Sequence, residues 1–78
     1  MKPTGTELDA LRVVDEEGGT ATLLVVCQKL NINNDYGRTL LMSLGSADYL
    51  DVTAEGHSTL TDKGRKELER KGLASARD

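Results

Sequence analysis

Residues 30–44, which read LNINNDYGRTLLMSL, decide the fold of this chain. A polar break at residues 31–33 contains one apolar residue, Ile32, and separates two segments with helical spacing. The first segment starts near Thr20 or Thr22, either of which can cap a helix. Its apolar residues recur at i, i+3, i+4 and i+7, which is the pattern of a buried stripe. The stretch therefore predicts two helices joined by a short turn.

The second segment predicts a helix over residues 34–46. Its inner face consists of Leu40, Leu41 and Leu44, which Tyr36 can join. Asn31 can adopt the left-handed backbone that follows a helix, and Asn33 or Asn34 can cap the next one. Gly37 costs a helix interior about 1 kcal/mol relative to Ala. It indicates either a close contact between helices or a weak helix.

The flanking sequence adds a helix on each side and a hairpin. Leu8, Leu11 and Val14 predict a helix over residues 7–17, capped by Thr4 or Thr6 and stopped by the glycines at 18 and 19. Alternation predicts a strand over residues 49–53 and a second over 58–60, with Gly56 in the turn. A last helix over residues 63–71 is capped by Thr61 or Asp62, buries Leu68 and ends at Gly72.

This element order predicts one α+β domain over residues 1–78, with an ordered core at about 6–72 and frayed ends. An isolated hairpin is only marginally stable in water, so the two strands are expected to pack against a three-helix core. With no Trp or Phe, this core must be built from Leu and Val.

Composition excludes several classes of protein. The single Cys27 cannot form an internal disulfide, and one His with one Cys does not make a zinc site. The longest apolar run has five residues, and no signal peptide is visible, so a soluble, cytoplasmic protein is expected. The sequence has one His, no glycine-rich phosphate loop and no carboxylate pair in an apolar setting, so neither an enzyme nor a cofactor is expected.

Three segments resemble the winged helix-turn-helix superfamily, especially regulators of the MarR and PadR types. Residues 30–44 resemble the turn and recognition helix, and residues 47–52 resemble the approach to the first wing strand. Residues 60–68 (LTDKGRKEL) resemble the leucine, threonine, any residue, lysine, glycine stretch that follows the wing. The resemblance covers residues 20–70. It implies a small DNA-binding transcription regulator, with the third helix in the major groove and the wing on the backbone or minor groove.

The resemblance also indicates candidate residues for contact with double-stranded DNA. They are Asn34, Tyr36, Arg38, Thr39 and Ser43 on the third helix, His57 on the wing, and Lys63 and Arg65 on the last helix. The formal net charge of −3 belongs to residues 1–36, because residues 37–78 carry seven cations and seven anions. A DNA-binding face is therefore compatible with the charge, although the cations of the last helix favour a solvated surface over contact with DNA.

An excess of apolar residues supports a second hypothesis. The run at residues 23–27 is apolar all round, and the third helix carries leucine and methionine where such regulators often have cations. The residues concerned are Leu24, Val25, Leu40 and Met42. If exposed, they form a patch for a homodimer or a protein partner. The alternative function is therefore a protein-interaction or dimerisation module without DNA binding.

Overall fold

The structure is a computed structural model, and it describes residues 5–73. In chain order the elements are α1 (Gly5–Glu16), β1 (Thr20–Thr22), α2 (Leu23–Leu30), α3 (Asn34–Ser46), β2 (Leu50–Val52), β3 (His57–Leu60) and α4 (Asp62–Arg70). The predicted α+β class is confirmed, with α3 at the predicted bounds. Thr4, one of the two suggested caps of α1, and the expected frayed tail at 74–78 lie outside the described residues.

Local backbone chemistry sets the ends of the helices. The Thr22 hydroxyl accepts a hydrogen bond from the Val25 amide at 3.2 Å, so Thr22 rather than Thr20 caps α2. Asn31 follows α2 in the left-handed region at φ 57°, as predicted. Asn33 caps α3 through its side-chain oxygen, which lies 2.7 Å from the Tyr36 amide. Thr6 does not cap α1, because the helix already begins at Gly5.

The sheet contains a strand at residues that were predicted as the start of a helix. Residues 20–22 form β1, which pairs with β3 in the register Thr20↔Thr59, Ala21↔Ser58 and Thr22↔His57. Within residues 5–73 the sheet is therefore three-stranded and antiparallel, in the order β1-β3-β2, instead of a two-stranded hairpin. Gly18 and Gly19, at φ 95° and 98°, turn the chain out of α1 and bring it back along β3.

The hairpin between β2 and β3 closes through a three-residue loop. The Gly56 amide donates to the Thr53 carbonyl at 3.0 Å, and the Thr53 amide donates to the His57 carbonyl at 2.8 Å. Gly56 has φ 90°, which is the left-handed position that this loop type requires. The Leu23 amide also donates to the Gly56 carbonyl at 2.9 Å, which fixes the hairpin end against the start of α2.

The core lies between the first three helices, the inner face of the sheet and α4. Its largest fully buried side chains are Leu11, Leu41, Leu44, Leu50, Leu68, Val14 and Val26. Leu40 is also buried, but Tyr36 is 45% exposed, so Tyr36 does not join the inner face of α3. Across residues 5–73, no helix combines the length and apolarity that a membrane span needs.

Candidate nucleic-acid interface and the adjoining groove

Close packing between α2 and α3 explains the glycine inside α3. A Cβ built on Gly37 would overlap the Cys27 sulfur and lie 3.2 Å from Leu23 Cδ1. Cys27 is a buried free thiol whose Sγ lies 3.5 Å from the Asn33 carbonyl oxygen. Of the two interpretations of Gly37, the close contact between helices is therefore correct. This contact sets the position of α3 on the core.

The N-terminal half of α3 carries four of the eight candidate DNA-binding residues at exposed positions. Asn34, Tyr36, Arg38 and Thr39 are all exposed. The Thr39 hydroxyl donates to the Asp35 carbonyl within the helix at 3.1 Å. The structure thus brings together amide, phenol, guanidinium and hydroxyl groups on about one and a half turns of helix.

Ser43 does not belong to this exposed surface. It is half-buried, and its hydroxyl donates to Glu7 Oε2 of α1 at 2.5 Å. Glu7 itself is only 6% exposed. Ser43 was predicted as a candidate for DNA contact, but it is half-buried because α1 packs over the side of α3 that carries it. Ser43 instead satisfies a buried carboxylate.

Residues 60–64 fasten α4 to the corner between α3 and β2. The Thr61 hydroxyl accepts from the Gly64 amide at 3.0 Å and lies 2.7 Å from the Asp48 carbonyl oxygen. Lys63 Nζ donates to the Ala47 carbonyl at 2.7 Å and lies 4.7 Å from the centre of the Tyr49 ring. A Cβ on Gly64 would overlap the Tyr49 carbonyl oxygen, so only glycine fits there. This stretch therefore has a structural role in this chain.

The remaining cations of α4 lie mostly in ion pairs or away from α3. Arg65 Nη1 is 4.0 Å from Oδ1 of Asp15, a carboxylate of α1 with 2% of its side chain exposed. Arg70 donates to Glu67 at 2.6 Å, and this hydrogen bond raises the pKa of Arg70. Lys63 stands at the C-terminal end of α3, about 14 Å along the helix from Arg38. Arg38 therefore does not form one basic face with Lys63, Arg65 and Arg70.

The surface formed by α3 and the hairpin is acidic. Residues 34–60 contain one cation, Arg38, and four carboxylates, Asp35, Asp48, Asp51 and Glu55. All five are exposed. His57 is exposed at the start of β3, where its amide donates to the Thr53 hydroxyl at 3.2 Å. Attraction for phosphate at this face is therefore weak, because each carboxylate opposes the guanidinium.

A groove of about 820 Å³ separates α3 from the hairpin. Arg38, Met42 and Gly45 line its helix side, and residues 50–54 of β2 and the turn line the other side. Leu23 and Gly56 close the end nearest α2. The groove could not be predicted from the sequence, because its two sides come together only when the hairpin folds back along α3.

Exposed apolar side chains are fewer than the interaction hypothesis expected. Leu24 is 58% exposed and Met42 is 61% exposed, while Val25 is half-buried. Leu40 retains 6% exposure, because it shares the inner face of α3 with Leu41 and Leu44. The inclusion of Leu40 in an exposed contact surface was therefore wrong. No cluster of three or more His, Cys, Asp or Glu side chains suited to a metal occurs within residues 5–73.

Comparison with known proteins identifies the fold. No protein-family model matches the sequence, and no curated protein matches it. The chain is similar to a solved structure of BpsR from Bordetella bronchiseptica, a protein whose DNA binding is regulated by 6-hydroxynicotinic acid. The TM-score is 0.80 at 22% sequence identity, over 91% of this chain. This chain has the winged helix fold.

The elements of the winged helix follow from this match. The helix-turn-helix consists of α2 and α3, and the hairpin of β2 and β3 is the wing. The similarity covers 58% of the BpsR chain, so this winged helix spans little more than half the length of that protein.

Proposed function

We propose that this winged helix is the DNA-binding domain of a small cytoplasmic transcription regulator of the MarR or PadR type. The observation that carries the proposal is the exposed polar N-terminal half of α3, on a fold similar to that of the DNA-binding protein BpsR. The proposal requires no metal, cofactor or catalytic residue.

In the proposed complex, α3 enters the major groove with its N-terminal turns at the base edges. The Asn34 amide pairs with adenine, and the Arg38 guanidinium pairs with guanine. Tyr36 donates a hydrogen bond to a phosphate oxygen, and Thr39 does so only after its hydroxyl leaves the Asp35 carbonyl. His57 on the wing approaches the backbone or the minor groove. A homodimer would place two recognition helices about 34 Å apart, one turn of duplex.

The cations of α4 have a smaller part in this proposal. In this proposal Lys63, which is exposed beside the C-terminal end of α3, would approach a phosphate. Arg65 is turned toward Asp15 on α1, so it would reach DNA only by leaving that carboxylate. With one or two phosphate contacts, we expect log K to fall with log salt at a slope of about −1 to −2.

The test is binding to duplexes selected from a random library, measured by fluorescence anisotropy from about 20 to 200 mM salt, the range over which phosphate contacts weaken. Replacing Arg38 with Ala should weaken binding to the selected duplex about 5- to 150-fold, the range for a bidentate base contact. Lys66→Ala removes one charge from an exposed position on α4 and is the matched control. If no duplex raises the anisotropy at the lowest salt concentration, DNA binding is refuted.

A second candidate function is a protein-interaction or dimerisation module. The specific observation is that Leu24 and Met42 expose more than half of their surface, and that Met42 lies in residues 34–60, where carboxylates outnumber cations. Val25 would contribute the edge of its side chain. Sedimentation of the wild type at micromolar concentration tests the homodimer: a monomer removes it. Loss of a dimer in Leu24→Ser, but not in the exposed control Gln28→Ser, would support it.

A further inference from the structure

The outer edge of β2 is the feature that the proposed function leaves unused. In the order β1-β3-β2, β2 is a terminal strand, and within residues 5–73 no strand pairs with its second edge. No β3 residue lines the groove, whereas all three residues of β2 do. The groove therefore runs along the open edge of the sheet, with α3 as its opposite wall.

The ladder shows which backbone groups face this groove. The Thr53 amide donates to the His57 carbonyl at 2.8 Å, and the Thr61 amide donates to the Tyr49 carbonyl at 3.3 Å. Antiparallel residues bond in alternate pairs, so Asp51 bonds to β3, while Leu50 and Val52 turn their amides and carbonyls outward. On β3 the same alternation turns Leu60 toward β1, where its amide donates to the Gly19 carbonyl at 2.8 Å. This independent bond confirms which residues of β2 and β3 turn their backbone groups toward each neighbouring strand.

The groove has the construction of a site for an extended peptide. A helix facing an open strand edge is the arrangement in which a peptide adds a strand, with main-chain hydrogen bonds on one side and side-chain pockets on the other. Here Val52 presents the backbone groups, and Met42 presents apolar surface. The three residues of β2 match a bound segment of about 10 Å.

The charge of the lining selects the kind of segment. Asp48 and Asp51 are exposed in the groove lining, and Arg38 is the single cation there. Glu55 adds a further carboxylate at the wing turn. We propose that this groove binds a basic, extended segment of a partner protein, which pairs with β2 as a fourth strand of the sheet. This proposal does not rest on DNA binding.

The structure supplies a selective test at Val52. Proline removes the amide that faces the groove and leaves the bonds between β2 and β3 intact, and proline is tolerated on edge strands at such positions. Val52→Ala keeps the amide and loses the side chain, so it is the matched control. A peptide from a displayed random ten-residue library, selected on the folded chain, is the probe.

We expect the selected peptides to carry net positive charge and to shift the Leu50 and Val52 amide resonances in NMR titrations. Val52→Pro should lower the affinity for the peptide about 2- to 12-fold more than Val52→Ala does, which is the range for one backbone hydrogen bond. Asp51→Asn should weaken it at low salt, and Asp9→Asn on the exposed side of α1 should not. Asp51→Asn keeps the test valid if Val52→Pro fails to fold.

Other results overturn the proposal. If the selected peptides are acidic or uncharged, the proposal that the partner segment is basic is refuted. If the NMR shifts are confined to α1 and α4, the proposal that the groove is the binding site is refuted. A library that yields no binder refutes peptide docking. A dimer that becomes monomeric in Val52→Pro would replace the partner peptide with a second copy of the chain. If Arg38→Ala abolishes DNA binding and Asp51→Asn leaves peptide binding unchanged, the proposed DNA-binding function is supported and the proposed peptide site is refuted.

Discussion

Replacing Gly37 with Ala should destabilise the fold through one identifiable contact, the overlap of the new methyl with the Cys27 sulfur. Overpacking of a core costs about 1–3 kcal/mol. The helix gains about 1 kcal/mol when Ala replaces Gly. We therefore expect Gly37→Ala to lower the free energy of unfolding by about 1 kcal/mol. In a domain of this size that corresponds to a fall in Tm of about 4–8 °C.

The decisive measurement is the double-mutant cycle with Cys27→Ala. Removing the buried sulfur alone should cost about 1 kcal/mol, comparable to one buried methylene. In the double variant the methyl introduced at position 37 fills the vacated space, and the helix gain remains. Its stability should return to within about 0.5 kcal/mol of the wild type, a favourable coupling of about 2 kcal/mol. Urea denaturation followed by circular dichroism measures all four proteins. If the two substitutions add, the sulfur is not what Gly37 avoids, and the argument for α2–α3 packing fails.

Three further predictions concern the fastening of α4 and the sheet. Thr61→Ala should lower the free energy of unfolding by about 1–2 kcal/mol, through loss of the cap, whereas Thr59→Ala on the exposed side of β3 should change it by less than about 0.5 kcal/mol. Ser58→Ala should lower the free energy of unfolding by about 1–3 kcal/mol, because the buried Ser58 hydroxyl donates to the Ala21 carbonyl at 3.0 Å. An unchanged midpoint in urea denaturation would contradict a contribution of that hydrogen bond. Lys63→Gln should lower Tm by a few degrees in calorimetry, through loss of the charge at the α3 C-terminus, and an unchanged Tm would show that its bond to Ala47 contributes no stability.

Local sequence predicted the helix-turn-helix because its signals are local. Apolar spacing and the residues Asn31 and Asn33 set α3 at the bounds that the structure shows. By contrast, β1 depends on a pairing between Thr20 and Thr59, 39 residues apart, which no short window contains. Thr20 and Thr22 equally suit a cap and a strand, so the missing strand was assigned to the start of a helix.

The candidate site was predicted in part for the same reason. Periodicity separates the inner from the outer residues of α3, and it correctly predicted that Asn34 and Arg38 are exposed. It cannot show that α1 covers the flank carrying Ser43, because that contact joins residues 36 positions apart. It also cannot show that Lys63 is directed at the end of α3. A residue of the type that contacts phosphate serves here to hold two elements together.

The strand order has a consequence for how the chain is made. The middle strand, β3, is the last of the three to be synthesised, and β1 and β2 each pair with it. Until residue 60 has left the ribosome, neither outer strand has its partner, although all three helices of the core can already form. Residues 19–22 and 49–53 are therefore unpaired until then, and closure of the sheet is a late, non-local step of folding. Nascent chains arrested before residue 57 should accordingly be helical yet remain sensitive to protease at the sites of both outer strands.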